Sequence, residues 1–334
     1  MPTGFGYVTK GVGGLYTVRL FSSSVASKVA PIPREPQPLD GAVVSARARN
    51  LRRGDGLLVG DLAEVTYTSN SYAVRDGIAV PDPDGTDIAI SRVLPRRSVL
   101  IRPPMANLDF LFLTVAAASP APDLETVDKM LCIAVHNGIT PVVVINKCDL
   151  DADSASRLDA IYRAVGVPVF RVTGITGEGV PALETYISSA IPGKLAAFAG
   201  ASGVGKSTIL GRIFPSLTFR TGDVSRRIER GKNTTRHVEL QPLSSNPDTG
   251  YLADTPGFTM LDFERFDFFS LDDLPAAFPE FAPFLGSCRY TDCTHTKESD
   301  CAICRAVREG VIPPSRHQTY ISLYNVLKKK PKWK

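Results

Sequence analysis

The chain has 334 residues, a formal net charge of +4, and 43% hydrophobic against 22% charged residues. These proportions are those of a globular protein and exclude a disordered or collagen-like chain, and the length suggests two or three domains, each with its own core. The first residues, MPTGFGYVTKGVGG, lack the apolar stretch of a secretory signal, and the longest apolar runs, such as LFLTVAAA, are too short to span a bilayer, so a cytoplasmic protein without membrane contact is expected.

Residues 1–75 read as short strands, GYVTK, LYTVRL, AVVSARAR and LAEVTYTS, separated by Gly, Pro and Ser. That pattern suggests a small all-β barrel of the oligonucleotide-binding (OB) type, and Arg47, Arg49, Arg52 and Arg53 near one strand end would suit an RNA backbone. Residues 76–106, rich in Pro, Asp and Arg, read as a connector. From 107 to 272, β-rich runs (DFLFLTVAA, TPVVVINK, VPVFRVTG, GKLAAFAG) alternate with helical stretches (DLETVDKMLCIAVHNG, GVPALETYISSAI), which implies a parallel sheet covered on both faces. RHVELQPL and TGYLADT are two further strands. Residues 273–334 read as a mostly helical module around Cys288, Cys293, Cys301 and Cys304, ending in KKKPKWK. Residues 1–70 are net +3, 71–288 net −5 and 289–334 net +6, so nucleic-acid contact is expected at the two ends.

The central domain carries a phosphate loop. Gly200, Gly205, Lys206 and Ser207 satisfy G-x-x-x-x-G-K-[ST] between a strand and a helix, and Ala201, Ser202, Gly203, Val204 and Thr208 complete the loop. Glycines let successive N–H groups surround phosphate oxygens at a positive helix end. Lys206 would reach the β- and γ-phosphates, and Ser207 would ligate Mg²⁺. Upstream, after a β-rich run, Asn146, Lys147 and Asp149 form an Asn-Lys-x-Asp tetrad. Asp149 can accept from guanine N1–H and N2–H together, whereas adenine offers neither donor, so the tetrad selects GTP over ATP. Asn146 should brace the base loop, and the Lys147 stem can cover one base face. Thr173 and Gly174, at the end of the next strand, stand where a backbone contact to guanine O6 is made. Asp254 and Gly257 in DTPG fit D-x-x-G, with Asp254 holding Mg²⁺ through water and the Gly257 N–H sensing the γ-phosphate. Thr235, or else Thr234, would complete the Mg²⁺ shell.

All the elements of a GTPase are therefore present in rotated order: base tetrad, second base loop, phosphate loop, threonine loop, D-x-x-G. The circular order is kept and only the cut point has moved, which the closeness of domain termini makes tolerable. At the C-terminal end, Cys288-x4-Cys293-x-His295-x5-Cys301 offers three thiolates and one imidazole to a structural Zn²⁺, with Cys304 as a rival fourth ligand.

A permuted GTPase between a small barrel and a Cys/His module resembles the ribosome small subunit-dependent GTPase A family. VVVINKCDL, TGEGV, GASGVGKST, GKNTTRHVEL, DTPGF and CRYTDCTHTKESDCAICRAV match family positions, and the likeness covers nearly the whole chain. It implies a Mg²⁺-dependent GTP hydrolase acting late in small-subunit maturation. It further implies that the barrel and zinc module bind rRNA, that small subunits stimulate hydrolysis, and that the chain works as a monomer. It also favours Cys301 over Cys304. Where Ras-like enzymes carry a water-orienting Gln the chain has Phe258, and where family members carry a histidine before the paired threonines it has Asn233. Asn233 is thus the candidate for positioning the attacking water, and slow intrinsic turnover is expected. Two other readings fit the same motifs: a nucleotide-occupancy switch with negligible turnover, and a GTPase acting on another RNA. The γ-phosphate-sensing segment from Asp254 to Phe258 would run directly into the zinc module and pull on it.

Overall fold

A computed structural model describes residues 1–29, 35–49, 56–75, 78–81, 88–101, 104–215, 217, 238–243, 250–254 and 270–329. The chain forms two compact units, Met1–Phe110 with Tyr186–Ala197 and Ser216–Pro256, and Leu111–Thr185 with Phe198–Pro215 and Gly257–Lys334.

The first unit begins with β1 (Thr3–Val12), β2 (Leu15–Leu20), α1 (Ser23–Val29), β3 (Val43–Ala48), β4 (Leu62–Thr66), a β5–β6 hairpin (Tyr72–Arg75 with Ile78–Pro81) and β7 (Ala89–Val93). β1, β2, β3, β7 and β4 close into a barrel in that order, with β1 antiparallel to β4 and β3 parallel to β7. Alternation along each strand turns Val8, Val18, Leu20, Val44, Ala46, Ala63, Val65 and Ile90 into one core, which is what a small closed barrel requires. The four strands expected within residues 1–75 are present. The fifth strand, β7, lies further on, within the stretch read as connector. Its apolar run, Ile88 to Ile90, is only three residues long and follows an Asp- and Pro-rich segment, so it gives little alternation to read. A second hairpin, β8 (Val99–Ile101) with β9 (Pro104–Ala106), follows.

The remaining strands form one six-stranded sheet: β10 (Phe110–Ala116), β11 (Thr140–Asn146), β12 (Val169–Arg171), β13 (Leu195–Ala199), β14 (Glu239–Pro242) and β15 (Tyr251–Asp254). Their order is β12-β11-β10-β13-β15-β14. Every residue of β10 and β13 is buried, the signature of central strands covered on both faces. Helices α2 (Leu124–His136), α3 (Ala152–Ala164), α4 (Val180–Ala190) and α5 (Lys206–Ile213) alternate with the strands. Two of the helix starts are set locally: Asp123 accepts from the Thr126 N–H at 3.2 Å and Asp151 from the Ser154 N–H at 2.8 Å. Chain order reverses between β10 and β13, so the phosphate loop, which leaves the end of β13, sits at the switch point where open α/β sheets bind ligands. Asp254 ends β15, which runs parallel to β13 in the register Ala197 to Ala253.

The C-terminal residues contain short turns, then α6 (Ala302–Arg308) and α7 (Pro314–Lys328). In the second unit, α7 docks on α2 through a buried cluster. The Arg316 guanidinium lies 2.9 Å from Asp128 Oδ1 and 2.7 Å from Glu280 Oε1, with all three side chains at most 2% exposed. It also stacks on Phe278 at 4.6 Å. Thr319 donates to Asp128 at 2.9 Å and Ser322 to Glu125 at 3.1 Å. Among the described residues, no helix is long and apolar enough to cross a membrane.

Candidate nucleotide site and metal centre

The phosphate loop is shaped by glycines that no other residue could replace without displacing a neighbour. Gly200 has φ +144°, and a Cβ there would fall 2.1 Å from the Thr114 carbonyl oxygen. Gly205, the residue before α5, has φ +93°, and its Cβ would fall 2.2 Å from Asn146 Nδ2. The second value ties the loop to the tetrad: the missing side chain is what admits Asn146. Lys206 opens α5 and donates to the carbonyls of Gly200 at 2.6 Å and Ala201 at 2.9 Å. Burial pushes its ammonium down to about 8, so the group gains from any anion placed beside it.

Asn146, at the end of β11, is 3% exposed. Its Nδ2 donates to the Val204 carbonyl at 2.8 Å, and its Oδ1 accepts from the Gly174 N–H at 2.9 Å. One amide therefore fastens the phosphate loop to the second base loop, as the bracing role requires. Lys147 follows with φ +60° and donates to the Ser119 carbonyl and, at 2.7 Å, to the Gly203 carbonyl. Asp149 is exposed on the turn beyond it. Thr173 is buried, its N–H donating to the Glu178 carbonyl at 2.9 Å. The structure thus brings together Asn146, Lys147, Thr173, Gly174 and the loop from Gly200 to Thr208. Ser207 stands in the first turn of α5 and is the one Mg²⁺ candidate side chain that is described. Asn233, Thr234, Thr235, Gly257 and Phe258 lie outside the described residues, as do Arg52 and Arg53 and the side chain of Asp254.

Sequence reading missed Arg212. From the last turn of α5 it donates to the carbonyls of Gly174 at 3.1 Å and Ile175 at 2.6 Å. A lone arginine near a helix end reads as an ordinary partner of the helix dipole, so nothing marks it in advance.

The C-terminal cluster brings Cys288, Cys293, His295 and Cys301 together, with their ligand atoms all within 4.8 Å of one another. Cys288 Sγ and Cys301 Sγ are 3.8 Å apart, and each is 3.5 Å from His295 Nδ1. Zn–S bonds of about 2.3 Å and Zn–N bonds of about 2.0–2.1 Å on a tetrahedron give edges of about 3.8 Å and 3.6 Å. The donor set therefore fits Zn²⁺ in kind and in spacing. The Ala302 N–H points at Cys288 Sγ and the Cys304 N–H at Cys301 Sγ, both at 3.4 Å, which favours thiolates. Burial lowers the His295 pKa and keeps the ring neutral, as a ligand must be. Cys304 Sγ lies beside the His295 carbonyl instead, at 3.8 Å. With Glu298 and Cys301 it forms a second group of possible donors that shares Cys301.

A family model described as RsgA GTPase matches residues 93–264. A protein named small ribosomal subunit biogenesis GTPase RsgA, from Caldanaerobacter subterraneus subsp. tengcongensis, is 36% identical over 293 residues, covering 87% of this chain and 90% of that one. One of the same name from Ruminiclostridium cellulolyticum is 40% identical over 260 residues, covering 78% and 82%. The crystal structure of YjeQ from Thermotoga maritima matches with a TM-score of 0.73 at 27% identity, covering 99% of this chain and 100% of that chain. That of YloQ, described as a circularly permuted GTPase, matches at 0.68 and 26% identity, covering 99% and 98%.

Proposed function

The chain belongs to the RsgA GTPase family, and we propose on that premise that it hydrolyses GTP in the maturation of the small ribosomal subunit, as a cytoplasmic monomer. The observation that carries the guanine reading is the Asn146 amide, which joins the phosphate loop to both base-reading segments at 2.8 and 2.9 Å. Asp149 selects guanine, Lys206 draws the β- and γ-phosphates, and the loop N–H groups from Ala201 to Thr208 surround them. Ser207, with Thr235 and Asp254, would hold Mg²⁺, which supplies charge neutralisation as the phosphoryl group transfers. The Gly257 N–H reads the γ-phosphate, and Asn233 orients the attacking water. An amide can hold a water but cannot take its proton, so intrinsic turnover is slow. Cys288, Cys293, His295 and Cys301 hold one structural Zn²⁺, and the barrel and the zinc module grip rRNA.

The test is GTP hydrolysis measured alone, with small subunits, with large subunits and with tRNA. Stimulation by small subunits alone supports the proposal. No stimulation by them, with nucleotide-dependent binding retained, leaves an occupancy switch; stimulation by tRNA instead points to another RNA.

A further inference from the structure

Arg212 takes part in reading guanine, a role that rests on the proposal that this site takes GTP. The loop after β12 is held from two sides. Asn146 accepts the Gly174 N–H, and Arg212 donates Nε to the Gly174 carbonyl and Nη2 to the Ile175 carbonyl. Within the loop, the Thr173 N–H donates to the Glu178 carbonyl at 2.9 Å, the Gly177 N–H to the Thr173 carbonyl at 2.8 Å, and the Glu178 N–H to Thr176 Oγ1 at 3.3 Å. The N–H groups of Ile175 and Thr176 are the two in this loop for which the described residues provide no acceptor.

Those two N–H groups share peptide planes with the two carbonyls that Arg212 holds. The Gly174 carbonyl and the Ile175 N–H lie in one trans peptide and point in opposite directions, as do the Ile175 carbonyl and the Thr176 N–H. A guanidinium presents its donors in a fixed planar fork, so gripping two successive carbonyls sets both planes at once. We propose that Arg212 is a positioning residue for base recognition, aiming the Ile175 and Thr176 N–H groups at guanine O6. The committed amides of Thr173 and Gly174 then brace the loop, and the contact to O6 moves one and two residues along the chain. The phosphate-loop helix thereby carries a determinant of base specificity at its far end.

The experiment compares the full chain with its Arg212→Met and Arg212→Lys forms in equilibrium binding of GDP, 6-thio-GDP and IDP. The first analogue replaces O6 by a weak acceptor and, below neutral pH, keeps the N1 proton; the second lacks the amino group read by Asp149. In the parent protein GDP should bind roughly tenfold tighter than 6-thio-GDP, the effect of one good hydrogen bond. In Arg212→Met that ratio should fall towards one while the GDP-to-IDP ratio stays as in the parent. Arg212→Lys, a point donor that can reach one carbonyl, should fall between. An unchanged 6-thio-GDP ratio in Arg212→Met overturns the inference, and so does an equal fall in both ratios, which would mean general loosening. Failure of the parent protein to prefer GDP over ADP would instead overturn the guanine reading itself.

Discussion

Replacing Arg316 by Met tests how the C-terminal module is fastened to the domain that reads the base. The substitution keeps side-chain length and contact with Phe278 but strips the partner from Asp128 and Glu280, whose side chains are 1% and 2% exposed. Burial alone opposes the charge on Arg316, and the two carboxylates more than restore it. The closest approach, Nη1 to Asp128 Oδ1, is an ion pair whose angle does not make a hydrogen bond, so much of the attraction there is Coulombic. Removing one partner of a buried pair costs about 3–5 kcal/mol, because the remaining charge stays buried. At about 2–4 °C per kcal/mol for a unit of this size, Tm should fall by about 6–20 °C at neutral pH. Without the guanidinium, the two carboxyls have folded-state pKa values above their unfolded ones. Their neutral forms are then favoured by folding below the unfolded pKa, and that contribution is lost as pH rises. The gap between parent and variant should therefore narrow on acidification, and adding Asp128→Asn and Glu280→Gln to Arg316→Met should recover part of the loss. Scanning calorimetry from mildly acid to neutral pH reads all of this. A loss below about 1 kcal/mol, or one independent of pH, refutes the reasoning.

Lys206 has its charged form weakened by burial, to about 8, and phosphates would restore it. Nucleotide binding should therefore take up a proton, and affinity should fall as pH rises through about 8; calorimetry in buffers of different ionisation enthalpy reads the proton directly. Cys301→Ser should lose the bound metal, whereas Cys304→Ser should keep one equivalent, since Cys304 Sγ faces the His295 carbonyl; metal analysis of the two purified variants checks this.

The chemistry was readable where it is carried by neighbouring residues. Asn146 to Asp149 and Gly200 to Ser207 are short motifs because a loop and a helix start are short structures, and their rotated order identified the permuted domain. What was not readable depends on residues far apart in the chain. Arg316, Asp128 and Glu280 each look like a solvated charge, and only the fold brings them together. The choice between Cys301 and Cys304 was open by spacing alone. In the folded chain Cys301 immediately precedes α6, with its sulfur beside Cys288 and His295, while Cys304 is turned one helical step away. The fifth barrel strand was hidden because three apolar residues show no period.

The position of the Arg316 cluster also bears on how nucleotide is felt by the zinc module. The segment from Asp254 onwards was expected to transmit the signal, and residues 255–269 lie outside those described. A different path is visible within the second unit. Lys147 donates to the Ser119 carbonyl, Asp123 caps α2 a few residues later, and Asp128 of α2 meets Arg316 of α7. That path starts at the base, and the base is the same in GTP and GDP. A ligand shifts an equilibrium only by its differential interaction with the two states, so this path can transmit occupancy but not the presence of a γ-phosphate. Hydrogen exchange across residues 314–328 separates the two routes. Protection that rises equally with GDP and with a GTP analogue belongs to the α2 path. Protection that differs between them has to enter through the segment that touches the γ-phosphate.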